Sequence, residues 1–148
     1  MLNLFFTLLI MFIGSFIIQF IIMSLIMTNS IYDITISYGK LYISLIMAFS
    51  MCIIELYMFN LSTPSYLSKL LYIPFFIIIL VLIYLYRNQS YIKDKEYLKE
   101  MIEHHSMAIL TSRNISKITD NNDIKQFSNN IINNQQKEIE LMKDLLKK

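Results

Sequence analysis

The chain has 148 residues, 55% of them hydrophobic, with 13 Lys and Arg against 11 Asp and Glu and a formal net charge of +2. So small a charge, with acids and bases interleaved, offers no basic stripe for nucleic acid. The single cysteine, Cys52, excludes an internal disulfide and leaves the redox compartment open.

Charge divides the chain in two. Residues 1–86 carry only Asp33, Lys40, Glu55 and Lys69, whereas residues 88–148 hold nearly all the rest. Two halves this different do not share one water-soluble core. The expected division is a membrane domain over 1–87 and a polar helical domain over 88–148.

The first apolar segment runs from about residue 4 to 27 without a charge. At 1.5 Å per residue it is long enough for a hydrocarbon layer of about 30 Å. It lacks a basic leading region and a small-residue cleavage site, so it reads as a span rather than a signal peptide. Thr28, Asn29 and Ser30 end it, and a short loop with Asp33, Gly39 and Lys40 follows. A second segment covers about 41–59. Asn60 to Ser65 is a turn by composition. A third segment covers about 66–86, with Pro74 inside it as a point for a kink. Tyr66, Tyr72, Tyr84 and Tyr86 lie towards its ends, where amphipathic rings favour a membrane interface. The partner implied by all three is membrane lipid. With the tail in the cytoplasm, Lys40, Arg87 and Lys93 share its side and Lys69 lies opposite. Positive-inside asymmetry favours that arrangement on very few charges, and the side of the tail stays open.

Two further helices are expected. The first spans about 92–115, with Leu98, Met101, Ile102, His105, Ala108 and Ile109 at helical spacing. A polar break over 116–122 supplies Thr119, Asp120 and Asn121 as N-cap candidates. The second helix spans about 123–146. Its inward or near-inward face is marked by Ile124, Phe127, Ile131, Gln135, Glu138, Ile139, Met142 and Leu146. So short a break implies an antiparallel helical hairpin. The fold class is therefore all-α: three transmembrane helices followed by a hairpin. About 60 residues make a thin core, and a second copy of the hairpin would complete a four-helix bundle. The two assemblies open to it are a homo-oligomer through the hairpin and docking of the hairpin on the membrane helices.

Chemistry concentrates in Met101-Ile102-Glu103-His104-His105-Ser106-Met107, which contains both histidines of the chain. Thioether sulfur and neutral imidazole suit copper, Cu(I) above all, better than magnesium or calcium. Across a hairpin closing near Thr119, Met101 comes level with about Glu138. Gln135, Glu138 and Met142 would then look at the Met/His face, with Glu138 placed to orient an imidazole through its ring N–H. The opposing reading is a polar-lined hairpin with ordinary core methionines, since adjacent histidines point about 100° apart. In the second span Met47, Met51 and Glu55 share a face. A carboxylate at that depth is costly and faces protein or water, which makes these three an intramembrane candidate site for metal passage. No phosphate loop, nucleophile elbow or HExxH site occurs, so a non-enzymatic protein is expected.

The two ordered motifs, Met101-Ile102-x-His104-His105-x-Met107-Ala108-Ile109 and Ile131-Ile132-x-x-Gln135-Gln136-x-Glu138-Ile139-x-x-Met142, resemble the domain of unknown function 305 family. That resemblance implies a ferritin-like helical hairpin or bundle, in a family that includes CopM-type copper-binding proteins and membrane-anchored members. It makes Met101, His104, His105, Met107 and Met142 candidate copper ligands. Glu103 stands where the family often has proline, and Thr111 where a further methionine is common. The function implied is copper binding, buffering or handover by a membrane-anchored module. The alternative is a structural or interaction protein whose hairpin oligomerises without metal.

Overall fold

The computed structural model describes residues 4–148, apart from the side chain of Leu67. All regular elements among them are helical. Helix α1 (Leu4–Ile17) passes through a π-helical turn at Ile18–Ile22 into α2 (Met23–Met27). A 3₁₀ turn, Ile31–Asp33, follows, and then α3 (Tyr38–Ser62), α4 (Tyr66–Leu70) and α5 (Tyr72–Arg87). The tail forms α6 (Asp94–Ile118) and α7 (Asn122–Leu146). Three helical stretches, Leu4–Met27, Tyr38–Ser62 and Ser68–Arg87, are long and apolar enough to cross a membrane by length and composition.

The chain folds as two compact units that do not match a single cut at 87. One contains residues 1–22 and 38–91; the other contains 23–37 and 92–148. The segment expected as a plain connection is therefore part of the unit that holds the tail helices.

In the first unit α3 packs against both α1 and α5. Its buried positions Ser44, Ala48, Cys52 and Leu56 recur every four residues, a mostly small-residue stripe that lets neighbouring backbones approach. Cys52 Sγ lies 3.6 Å from the carbonyl of Leu8. Phe49 bridges the layers, with its ring 5.0 Å from that of Phe12 and 5.7 Å from that of Phe75. The helix break at Leu71 has a local cause. Pro74 lacks the N–H that would bond the carbonyl of Leu70, and its ring crowds that carbonyl. The unit ends on a tight turn in which Gln89 and Tyr91 take positive φ. Tyr42 donates to the carbonyl of Ser90 there at 2.9 Å.

In the second unit α6 and α7 pack along each other. Ile102 and Ile109 meet Ile139 and Met142, with Leu98, Met101, Ile132 and Leu146 around them. Helix α6 runs to Ile118, about a turn past its expected end. Asn121 caps α7 by accepting from the N–H groups of Asp123 and Ile124. The buried face of α7 also differs from expectation. Ser128 is buried and Ile132 packs on the core, whereas Ile124, Phe127 and Glu138 are exposed. Replacing Ile109, fully buried, by Ala is expected to lower the opening free energy of α6 and α7 by about 2–5 kcal/mol. Hydrogen exchange of the full chain in detergent checks this.

Candidate functional site

The site is built on α6 and α7. Met142 is buried in their core and Met101 packs against it. One turn on from Met101, His105 is half-buried and its Nδ1 lies 3.1 Å from Oε2 of Glu138. The structure thus sets His105, not Met101, beside Glu138. Nδ1 is buried and close enough for a charge contact, but it is not aligned for a hydrogen bond. Oε1 of Gln135, one turn back on α7, is also buried and lacks a hydrogen bond. His104 is exposed, about 100° round the helix from His105. Met107 is half-buried. The structure therefore puts Met101 and Met142 in one packed cluster, sets Glu138 beside His105, and turns His104 towards solvent.

Burial holds the His105 imidazole below its ordinary pKa of 6.5. Glu138 opposes that shift and His104 adds to it. The ring is therefore neutral at pH 7 and able to ligate. No three of His, Cys, Asp and Glu form a metal-holding group among the described residues. Thioether sulfur and one neutral imidazole are donors of the kind that suits Cu(I), whereas the orphaned amide oxygen is a hard donor that does not. In α3, Met47 is exposed while Met51 and Glu55 are half-buried.

A second cluster escaped the sequence reading. Asp33 is only 5% exposed. Its Oδ1 accepts from Nζ of Lys143 at 2.6 Å, and its Oδ2 from Oγ of Ser106 at 2.7 Å. Ser106 Oγ accepts in turn from the N–H of Asn29 at 3.0 Å. Glu103 accepts from the N–H of Thr35 at 2.6 Å and from Oγ of Ser24 at 3.3 Å. Arg113 donates to Oδ1 of Asn29, and Thr35 Oγ1 to the carbonyl of Lys99. Residues 23–37 are thereby fastened along α6 and to α7. A charge in a short loop ordinarily reads as solvated, so Asp33 gave little warning. The available signal was serine at the inward positions 106, 112 and 128.

The family described as "Domain of unknown function (DUF305)" matches residues 84–146. "Uncharacterized protein L153" of Acanthamoeba polyphaga mimivirus is 37% identical over 138 residues, covering 93% of this chain and 90% of that protein. Residues 84–146 thus form a DUF305 domain, and the chain as a whole is related to the mimiviral protein. The DUF305 match takes in α6 and α7, whereas the likeness to the mimiviral protein takes in both units. No solved structure matches the chain.

Two outcomes are expected. Ser106→Ala leaves Oδ2 of Asp33 and the N–H of Asn29 without a partner and costs about 1–3 kcal/mol. It should appear as faster hydrogen exchange and proteolysis within 23–37. Because the folded-state pKa of His105 is lowered, the unfolded chain binds the extra proton first. Stability is therefore full above pH 6.5 and is lost as pH falls from there to the lowered folded value. Thermal melts from pH 7.5 to 5 should show this loss, diminished in His105→Gln.

Proposed function

We propose that this chain is a membrane-anchored metal-binding protein that binds, buffers or hands over copper. In this reading the three long apolar helices span the bilayer, and α6 and α7 form an antiparallel hairpin, half of a ferritin-like bundle. One observation carries the metal reading. Gln135 Oε1 is buried without a hydrogen bond, and His105 turns its Nδ1 to Glu138 at 3.1 Å, which leaves its other ring nitrogen for a metal, on the helix pair whose core contains Met101 and Met142. Buried polar atoms are normally satisfied, and a metal ion would satisfy groups of this kind. Met101 and Met142 would supply sulfur and His105 nitrogen. Glu138 would orient the ring, with Gln135 nearby. His104 and Met107 would join from the more exposed side of α6. Likeness to the copper-binding members of the family supports copper as the metal.

A second reading, assembly without metal, is favoured by the apolar side chains left exposed on α7. Titration of the full chain with Cu(I) against a competing chelator separates the two. The metal reading expects uptake at micromolar metal, weakened at least tenfold by His105→Ala and less by His104→Ala. Affinity should also fall with pH through the histidine range, because protonated imidazole does not ligate. Absence of uptake, or uptake unchanged in a His104→Ala/His105→Ala double variant, would overturn it.

A further inference from the structure

Helix α7 carries two stripes with a three–four spacing. Ser128, Ile132, Gln135, Ile139, Met142 and Leu146 form the stripe towards α6. Phe127, Ile131, Asn134, Glu138, Leu141 and Leu145 form a second, one residue out of step and so about 100° away. This second stripe is mostly open: Phe127 is 66% exposed, Leu141 60% and Leu145 41%, while Ile131 is half-buried. Apolar residues sustained at this spacing over most of a 25-residue helix are the mark of a helix–helix seam.

We propose that α7 pairs antiparallel with α7 of a second copy of this chain through this stripe. The order of residues selects that partner. The stripe is apolar at both ends and polar in the middle, so it matches its own reversal. Phe127 falls opposite Leu145 of the second copy, Ile131 opposite Leu141, and Asn134 opposite Glu138. The Asn134 amide can donate to that carboxylate, and a central polar pair fixes register. Charge agrees. The start of α7 and the residues before it hold Asp120 and Asp123 against Lys125, and its end and the residues after it hold Lys147 and Lys148 against Asp144, Lys143 being engaged by Asp33 on another flank. Antiparallel packing sets the acidic end on the basic end and opposes the two helix dipoles. A lipid surface is a poorer occupant. Its apolar layer would receive Asn134 and Glu138, where helices that lie on membranes carry unbroken apolar residues. The pairing shares Glu138 with the metal reading, but its test is made at Ile131 and Leu141, which belong to no proposed ligand set.

Cysteine cross-linking of the full chain in detergent tests it, in a Cys52→Ala background with separately tagged Ile131→Cys and Leu141→Cys copies. Mixed copies should form the heterodisulfide on mild oxidation. Neither copy alone should link to itself, because like positions would lie about 15 Å apart along the axis. Adding Phe127→Asp to both copies should cut the heterodisulfide at least tenfold with helicity unchanged. A self-linked dimer from either single variant, no heterodisulfide at all, or a heterodisulfide indifferent to Phe127→Asp would each overturn the proposal.

Discussion

A carboxylate taken out of water costs several kcal/mol unless charge and hydrogen bonds meet it. Asp33 is in that position, and the second unit is arranged around meeting it. Its two oxygens are matched from different helices, one by Lys143 of α7 and the other by Ser106 of α6. One residue from the connection thus constrains three segments at once. Glu103 repeats the device on the same helix, holding the backbone of Thr35 and the hydroxyl of Ser24.

This anchoring suits the modest core beneath it. Four apolar side chains are buried there, Ile102, Ile109, Ile139 and Met142, with Ser106, Ser112 and Ser128 buried alongside. Two helices with so small an interior are marginal by themselves. Residues 23–37 add a third layer bound by directional contacts rather than apolar area. Directional contacts are demanding, because each buried donor or acceptor needs its own partner at a set distance. They consequently fix which residues meet more firmly than they add stability.

What was legible in the sequence was local. The apolar runs and three–four spacings located every long helix, because helical period is a property of neighbours in the chain. Pro74 marked the break at Leu71, and Asn121 the start of α7, for the same reason. What failed was non-local. The attachment of residues 23–37 depends on Ser106 and Lys143, more than seventy positions away in the chain. The helix contacts were partly legible: Met101 does pack on the cluster that holds Met142, but Glu138 lies beside His105 instead of Met101. The further turn of α6, to Ile118, moves the crossover and with it the facing residues. The face of α7 was misjudged because its two stripes lie only one residue apart. Hydropathy cannot say which is covered, and Ser128 reads as an outward residue although it is buried.

Angles around α7 show how these demands coexist. At about 100° per residue, taking Ile139 as zero, the positions facing α6 cluster within roughly 60° of it. Lys143, which reaches Asp33, falls about 40° to one side. The second stripe falls on the other side, centred about 120° away. Gln135 and Met142 lie between the core direction and that stripe, and Glu138 lies on its near side. A docked connection on the Lys143 flank therefore leaves the stripe uncovered. Glu138, half-exposed beside His105, sits where the packed interior gives way to that open face. One amphipathic helix thus presents the core, the anchoring lysine and the proposed seam at separate angles, and none of them competes for the same side chain.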